Sequence, residues 1–336
     1  MLAVAPSRLL HGIVLLAFSL GAQAESLKIG LSLPTQSEER WVRDKKAMVE
    51  AARKEGVDLR VQITNNDAAK QIAQSENLIA QGIKVLILAP HDAESAGVIV
   101  TKAKKAGIKV ISYDRLALSS EPDLYISFDN EKVGEVQGEY LTTLVPKGQY
   151  VILSGAPTDN NSRLYYQGAM TFIKPLVDKG DIRIVMDQSV KDWQPAEAQK
   201  IVEQALTASG NKVDAILAPN DGTAGGAIQA LTAQGLAGKV PVTGQDAELT
   251  AAIRIVQGTQ TMTIFKDTRA LGAKAVNLAI KLAKGESIDS EITIKLNNKK
   301  IDVPSVLLPV KVVDKASLDK ILIDSGYLRR EVVYKK

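Results

Sequence analysis

The sequence predicts an α/β fold made of two lobes, each built around a parallel sheet. Three observations lead to this fold class. Short apolar runs rich in β-branched residues alternate with longer segments of helical spacing, which is the pattern of βαβ units. This alternation stops and then resumes, so it occurs twice along the chain. Finally, the 336 residues, 45% of them hydrophobic, exceed what a single hydrophobic core commonly holds.

The first half of the chain is predicted to contain four strands separated by three helices. Each helical segment is followed by a glycine, which can end a helix because it adopts positive φ without steric cost. These glycines are Gly56, Gly82 and Gly107. The predicted strands cover residues 28–33, 59–64, 84–89 and 109–113, and the predicted helices cover residues 39–54, 68–81 and 93–105.

The second half repeats the same order of elements. The sequence Ile-Leu-Ala-Pro-His-Asp at 87–92 recurs as Ile-Leu-Ala-Pro-Asn-Asp at 216–221, and the next strand of each half ends in an aspartate, Asp114 or Asp246. This matched order favours two copies of one architecture over a chance similarity of two turns. The predicted strands cover residues 149–153, 182–186, 213–218 and 240–243, and the predicted helices lie near residues 163–177, 196–207 and 225–233.

The composition excludes several classes of protein. Lys and Arg number 42 against 38 Asp and Glu, and this net charge of +4 is spread without a basic block, so the footprint of a nucleic-acid-binding protein is missing. The absence of cysteine excludes disulfides, thiol catalysis and iron–sulfur clusters. Only two histidines occur, His11 and His91. We therefore expect no nucleic-acid partner, no metal and no cofactor.

The first 24 residues are typical of a secretory signal peptide. Arg8 supplies positive charge, residues 9–20 form an apolar run, and Ala22-Gln23-Ala24 matches a small-x-small cleavage site. The apolar run is shorter than the roughly 20 residues that a membrane-spanning helix needs, which favours a signal over an anchor. We expect cleavage after Ala24 and a mature chain that is exported to the periplasm.

Polar side chains gather at the predicted carboxyl ends of the strands. In open parallel sheets these ends border the crevice where ligands bind. Carboxylate, amide and guanidinium groups can each bind two neighbouring sugar hydroxyls, and indole rings can cover the weakly apolar faces of a sugar. The residues at these positions are Arg40, Trp41, Asp114, Arg115, Asp159, Asn160, Asn161, Trp193, Asn220, Asp246 and Lys266.

Most of these residues also have a purely structural explanation. Asparagine and aspartate at βα turns commonly cap the helix that follows, lone basic residues are commonly solvated, and a tryptophan can pack in a core. Asp114 and Arg115 are harder to explain in this way because they directly follow an apolar strand. The residues with a structural alternative are Arg40, Trp41, Asp159, Asn161, Asn220 and Lys266.

A secreted carbohydrate-active enzyme is the alternative function. Asp114 and Asp246 could form the carboxylate pair of a glycosidase across a cleft, but such a pair needs one acid with a raised pKa. Arg115 and Lys266 are expected nearby and would keep both acids ionised, which suits hydrogen-bond acceptance better than proton donation. The sequence therefore favours a binding protein over an enzyme.

Six segments of the chain resemble the periplasmic pentose- and hexose-binding proteins of bacterial ABC importers. They occur in the same order and extend over nearly the whole mature chain, so together they are far more specific than any single motif. The segments are 39–41 (Glu-Arg-Trp), 112–115 (Ser-Tyr-Asp-Arg), 125–134 (Tyr-Ile-Ser-Phe-Asp-Asn-Glu-Lys-Val-Gly), 158–161 (Thr-Asp-Asn-Asn), 220–231 (Asn-Asp-Gly-Thr-Ala-Gly-Gly-Ala-Ile-Gln-Ala-Leu) and 244–247 (Gly-Gln-Asp-Ala).

The resemblance implies a type I periplasmic binding protein: two Rossmann-like lobes joined by a three-segment hinge, with a sugar bound between them. The implied amino-terminal lobe comprises residues 25–131 and about 264–290, and the implied carboxyl-terminal lobe comprises residues 132–263 and about 291–336. The implied ligand is an aldose, with D-xylose expected first, and the implied partner is a membrane ABC permease. We expect the protein to be a monomer.

The resemblance also implies a role for each candidate residue. Trp41 and Trp193 resemble a stacking pair, and Lys266 resembles a ligand beside the third crossing between the lobes. The loop 34–37 and the segment 265–269 look closer to multiple-sugar-binding, chemotaxis-linked members, which adds a chemoreceptor or sensor as a candidate partner. The implied polar ligands are Arg40, Asp114 and Arg115 from one lobe and Asp159, Asn161, Asn220 and Asp246 from the other.

Overall fold

The computed structural model describes residues 1–2 and 26–335. The predicted signal peptide therefore lies, apart from its first two residues, outside the described residues. Within that described part, none of the helices has the length and apolar character needed to span a bilayer.

The amino-terminal lobe begins with alternating strands and helices, as the sequence predicts. The strands at 28–33 and 109–113 and the helix at 39–54 have the predicted bounds, and the other predicted elements shift by up to three residues at their ends. The strand at 124–128 was not predicted. The elements in chain order are β1 (Lys28–Leu33), α1 (Glu39–Lys54), β2 (Asp58–Ile63), α2 (Ala68–Ala80), β3 (Val85–Leu88), α3 (Ala96–Lys105), β4 (Lys109–Tyr113) and β5 (Leu124–Phe128).

The chain then crosses into the second lobe, returns, and crosses again. The elements of the second lobe up to the return are α4 (Asn130–Leu144), β6 (Gly148–Ser154), α5 (Asn160–Asp178), β7 (Ile182–Ser189), α6 (Pro195–Ser209), β8 (Ala215–Leu217), α7 (Asp221–Ala233), α8 (Leu249–Gln257) and β9 (Met262–Phe265). The remaining elements are α9 (Thr268–Lys284), β10 (Ile294–Asn297), β11 (Asp302–Leu308), β12 (Lys311–Asp314) and α10 (Arg330–Val333).

Strand pairing assigns these elements to two lobes. The first lobe contains a seven-stranded sheet of order β10-β11-β5-β4-β3-β1-β2, in which β10 alone is antiparallel to its neighbour. The second contains the parallel strands β7-β6-β8 and the antiparallel pair β12-β9, linked through single bridges at Val242 and Gln245. The chain crosses between the lobes after β5, β9 and β11, which confirms the three-segment hinge.

Two details of the sequence-based expectation are wrong. The predicted second-lobe segment 291–336 includes β10 and β11, but β11 pairs with β5 from Ser305–Tyr125 to Leu308–Phe128 and so extends the first sheet. Of the segment 291–336, only the part after β11, which begins with β12, belongs to the second lobe. The predicted strand 240–243 is reduced to one bridge between Val242 and Ile216.

Each lobe has its own apolar core between sheet and helices. In the first lobe, α1 and α9 cover one face of the sheet with side chains such as Met48 and Leu271. In the second lobe, α4 and α5 pack unusually closely. A Cβ atom at Gly134 would lie 2.0 Å from the carbonyl oxygen of Tyr165, so only glycine permits this approach. The contact fixes α5, which supplies Tyr165 to the cleft.

Candidate functional site

All ten residues that the resemblance implies as sugar ligands line one cavity between the lobes. The side chains close around a narrow space, of which about 230 Å³ is not filled by atoms and part is open to solvent. Such a narrow space suits a small ligand. The lining residues are Glu38, Arg40, Trp41, Asp114, Arg115, Asp159, Asn161, Tyr165, Trp193, Asn220, Gln245, Asp246 and Lys266.

Arg40 is held rigidly by carboxylates on two sides. It is 4% exposed and lies in the first turn of α1. Its Nε and Nη2 atoms donate to Asp44 Oδ2, one helical turn later, at 3.1 and 3.0 Å, and its Nη1 donates to Asp114 Oδ2 at 2.8 Å. Nη1 also lies 3.7 Å from Asp246 Oδ1 in the other lobe. Arg40 is therefore a buried donor in the cavity and not the solvated charge of the structural alternative.

Asp114 is positioned by an unusual backbone conformation at the end of β4. Its φ is 58°, a left-handed value that aspartate tolerates better than most residues. Its carbonyl oxygen accepts hydrogen bonds from Tyr125 Oη and Ser127 Oγ, both at 2.8 Å, which hold the turn in place. Burial alone would raise the pKa of Asp114, but Arg40, Lys266 and Arg115 outweigh it and hold the pKa below its ordinary value.

Arg115 and Asp159 form a buried ion pair across the cleft, with Nε 2.7 Å from Oδ2. Asp159 is also the N-cap of α5, because its side chain accepts from the backbone N–H of Asn161 at 2.9 Å. The capping role and the cavity position are thus compatible. Burial, opposed by Arg115, raises the pKa of Asp159 above its ordinary value.

Lys266 lies in the second crossing segment, between β9 and α9, and is only 1% exposed. Its Nζ lies 3.2 Å from Asp246 Oδ1 and 3.9 Å from Asp114 Oδ2, and it donates to Tyr165 Oη at 3.3 Å. Asp246 itself has a φ of 95°. This lysine therefore connects carboxylates of both lobes.

The two tryptophans are buried, and both border the cavity. Trp41 is 1% exposed, belongs to the core of the first lobe, and donates from Nε1 to Glu38 Oε1 at 3.1 Å. The guanidinium carbon of Arg40 lies 4.5 Å from the centre of its ring. Trp193 is 5% exposed and meets Tyr165 edge-on, with ring centres 6.3 Å apart. Trp41 therefore both packs in the core of the first lobe and lines the cavity.

Both asparagines make hydrogen bonds that stabilise the fold around the cavity. Asn220 caps α7 through a capping box in which its Oδ1 accepts from the Thr223 N–H at 2.9 Å. Its side-chain nitrogen is not used by this cap. Asn161 donates from Nδ2 to the Asp114 carbonyl at 3.0 Å and accepts from Asn130 at 3.0 Å, so it joins the lobes behind the cavity.

Two polar atoms of the cavity, Trp193 Nε1 and Gln245 Oε1, are buried without a hydrogen-bond partner among the described residues. Asp246 Oδ1 makes no conventional hydrogen bond there either, but the ammonium group of Lys266 lies 3.2 Å away and balances its charge. Buried polar groups are nearly always paired, and leaving one unpaired costs about 1–3 kcal/mol. One donor and two acceptors converging on a small cavity match a ligand whose groups both donate and accept, as hydroxyls do.

Sequence reasoning missed three residues that line the cavity. Glu38 directly precedes the Glu-Arg-Trp segment, and Gln245 directly precedes Asp246, so neighbouring positions carried a signal. Tyr165 lies in the middle of α5, four residues after Asn161, so helical spacing places both on one face. Burial raises the pKa of Glu38 to about 7, opposed by the charge of Arg115.

The arrangement is suited to binding more than to acid–base chemistry. Asp114 and Asp246 are separated by Arg40 and Lys266, which contact both. Arg40, Lys266 and Arg115 together hold the pKa of Asp114 below its ordinary value, the direction that suits hydrogen-bond acceptance. No group of histidine, aspartate and glutamate side chains able to hold a metal ion occurs in the described residues.

Known proteins resemble this chain over most of its length. A model of the periplasmic binding protein domain matches residues 29–287. The D-xylose-binding periplasmic protein of Haemophilus influenzae is 45% identical over 320 residues, covering 95% of this chain and 96% of that protein. The multiple sugar-binding periplasmic receptor ChvE of Rhizobium radiobacter is 35% identical, covering 92% of each chain.

A solved structure supports the same fold. The carbohydrate transporter solute binding protein of Chloroflexus aurantiacus, in complex with D-glucose, superposes with a TM-score of 0.85 at 34% sequence identity. The match covers 90% of this chain and 97% of that one.

Proposed function

The chain belongs to the family of periplasmic binding proteins, and from this premise we propose that its cleft binds an aldose, D-xylose in the first place, for delivery to a membrane ABC permease. Its relatives are sugar-binding proteins of transport systems, so the chain is a binding protein, as the sequence predicts, and not a carbohydrate-active enzyme.

The observation that carries this proposal is a set of buried polar atoms with unused hydrogen-bonding capacity in a cavity lined by both indoles. Trp193 Nε1 and Gln245 Oε1 have no partner, Asp246 Oδ1 has only the charge of Lys266 beside it, and sugar hydroxyls would supply hydrogen bonds to all three. Buried arginine and lysine side chains beside them add donors for the ring oxygen and further hydroxyls. The narrow space among the lining side chains favours a monosaccharide over a longer sugar.

In this proposal the tryptophans and the charged groups have different roles. The indoles of Trp41 and Trp193 cover the apolar faces of the sugar ring and exclude water. The polar ligands are Arg40, Asp114 and Arg115 from the first lobe, Asp159, Asn161, Asn220 and Asp246 from the second, and Lys266 from the crossing segment. Because both lobes contribute, the ligand favours the closed state through its differential contacts.

A broader specificity for glucose, arabinose and galactose is the second candidate. It is favoured by the similarity to the multiple sugar-binding receptor, at 35% identity, and by the D-glucose in the Chloroflexus aurantiacus structure. D-glucose differs from D-xylose by one exocyclic hydroxymethyl group, so the room beside that carbon decides between these two sugars. Arabinose is a pentose like xylose and is distinguished by the orientation of its hydroxyls. A chemoreceptor or sensor is the additional partner that this candidate implies.

Export and oligomeric state complete the proposal. The signal peptide is removed after Ala24, and the mature protein acts as a monomer in the periplasm. Mass spectrometry of the exported protein tests the cleavage site, and light scattering tests the monomer.

A calorimetric screen of common pentoses and hexoses tests the function. We expect stoichiometric binding, with D-xylose the tightest ligand. If none of these sugars binds, the proposal is wrong, and if D-glucose or L-arabinose binds as tightly, the broader specificity is correct. Incubation of the protein with xylosides, followed by product detection, distinguishes the enzyme, because turnover would contradict a binding protein.

A further inference from the structure

Helix α8 of the second lobe takes its amino-terminal cap from the first lobe. Its own N-cap residue, Glu248, makes no side-chain capping hydrogen bond in the described structure. Instead, the carboxylate of Glu39 in α1 accepts from the backbone N–H of Leu249, with Oε2 at 3.1 Å and Oε1 at 3.4 Å. The first N–H of α8 is thus satisfied across the cleft.

Arg43 holds Glu39 in this position and adds a second contact between the lobes. Its Nε donates to Glu39 Oε1 at 2.7 Å, one helical turn away. Its guanidinium carbon lies 4.6 Å from the ring centre of Tyr327, and its Nη1 donates to the Tyr327 carbonyl at 3.5 Å. Tyr327 packs in the same apolar cluster as Phe265 and α8 residue Ile255, so it belongs to the second lobe.

The Glu39 contact lies directly beside the candidate site without being part of it. Glu38, Arg40 and Trp41 line the cavity as the structure describes it, whereas Glu39 points to α8. On the other side, Leu249 follows Asp246 by three residues. In the described structure this contact joins the two lobes at the edge of the cavity.

The segment that α8 anchors has a strained backbone. Asp246 and Ala247 have φ values of 95° and 51°, and such values in residues other than glycine persist only where the surroundings enforce them. Fixing the first turn of α8 limits how this segment can relax. The carboxylate of Asp246 is one of the groups that the proposed sugar must find in place.

We propose that Glu39 is a positioning residue that caps α8 in the closed state, holds Asp246 in register and slows release of the ligand. The inference rests on ligand binding in the cleft, as proposed above, and not on which sugar binds. Loss of an N-cap weakens a helix by an amount equivalent to about a 5- to 30-fold change in an equilibrium constant. In this proposal the cap is lost when the lobes open, so the change falls on dissociation.

Stopped-flow measurement of sugar binding to three variants tests the proposal. We expect Glu39→Ala to raise the dissociation rate about 5- to 30-fold, with the association rate within about twofold of the native protein. Glu39→Gln keeps an acceptor for the Leu249 N–H and should be intermediate. Glu50→Ala, on the exposed part of the same helix, removes a carboxylate that pairs only with Lys54 and should behave like the native protein.

A merely structural role gives a different result. In that case Glu39→Ala would lower the melting temperature of the sugar-free protein and leave the dissociation rate unchanged. The proposal predicts an unchanged melting temperature without sugar and a smaller rise when sugar is added. An unchanged dissociation rate overturns it.

A second measurement needs no sugar. The chain has no cysteine, so fluorophores at Lys46→Cys and Lys239→Cys, both exposed and in different lobes, report the distance between the lobes. We expect Glu39→Ala to reduce the closed population of the sugar-free protein, and equal populations would overturn the proposal. Failure of every sugar to bind the native protein would instead contradict the proposed function, so the two failures are distinguishable.

Discussion

A Cβ atom added at Gly155 would lie 2.0 Å from Cη2 of the Trp193 indole, so the indole occupies the space that any other residue at position 155 would fill. The backbone around Trp193 is also constrained, because Asp192 and Trp193 have φ values of 50° and 58°. The position of this ring over the cavity is therefore set by the absence of a side chain at the end of β6.

Gly155→Ala is expected to weaken sugar binding by displacing the indole of Trp193. Real Cβ atoms do not approach other atoms at 2.0 Å, so the ring must move. Calorimetry with the sugar that binds the native protein measures the effect. Gly222→Ala is the matched control, because its Cβ would meet nothing closer than 3.7 Å, and its affinity should match that of the native protein.

Trp193→Ala should lower the affinity by about 2 kcal/mol or more, as is typical of a buried aromatic anchor. The sugar-free melting temperature should also fall, because Trp193 is 5% exposed and packs in an apolar cluster with Val133 and Tyr165. Paired measurements of melting and affinity check both statements. A loss of stability without sugar, together with a preserved affinity, would remove Trp193 from the site.

Asp246→Asn should weaken binding by about 1.5–3 kcal/mol, the range for a hydrogen bond to a charged group. The substitution keeps the shape but replaces one acceptor by a donor, and it leaves Lys266 without the carboxylate that lies 3.2 Å away. Asp178→Asn, in an exposed pair with Lys174, is the control and should have no effect. Equal affinities of the two variants would contradict the role of Asp246.

Sugar binding should take up protons between pH 7 and 8.5. Burial raises the pKa of Glu38 to about 7 and, with the nearby charges of Asp221 and Asp246, that of Glu248 to about 9. Opening of the lobes rehydrates both carboxyls and returns their pKa values toward 4.5. The closed state therefore binds more protons in this range, and affinity should fall as the pH rises.

Calorimetry in two buffers of different ionisation enthalpy measures this uptake. The pKa of His91 is lowered by burial from 6.5, so this residue is neutral in both states above pH 7 and does not oppose the effect there. Glu248→Gln should reduce the uptake. Proton release, or no proton exchange at all, would show that closure does not desolvate these carboxyls.

A saturating sugar should both compact and stabilise the protein. At a ligand concentration about 100 times the dissociation constant, linkage predicts a gain of roughly 2.7 kcal/mol in the free energy of unfolding. Small-angle scattering should show a smaller radius of gyration with sugar than without. Unchanged scattering would argue against closure of the lobes on the ligand.

Local sequence patterns predicted most of the first lobe and the order of elements in both lobes. Helix α1 and strand β4 have the predicted bounds because their periodicity and flanking residues act within a few positions. The assignment of β10 and β11 was wrong because it depends on pairing of β11 with β5, far away along the chain. No local pattern encodes that pairing.

The candidate site shows the same division. Polar residues at strand ends pointed to the ten implied ligands, since a parallel sheet brings those ends together. Tyr165 was missed because it enters the cavity from inside a helix, through a helix contact that Gly134 permits. Asp159 and Asn220 each cap a helix and also line the cavity, so the structural and the ligand-binding explanations of these residues are compatible.

Lys266 has a consequence for how the two lobes separate. A rigid body that turns about an axis moves each of its atoms in proportion to the distance from that axis. Lys266 lies in a crossing segment, whereas the Arg115–Asp159 pair joins the lobes themselves. We therefore expect the lysine to have the shorter lever arm and to stay beside Asp246, 3.2 Å away in the described structure, while the other pair comes apart. Its charge would then act as a stationary counter-ion for the aspartate before a ligand arrives.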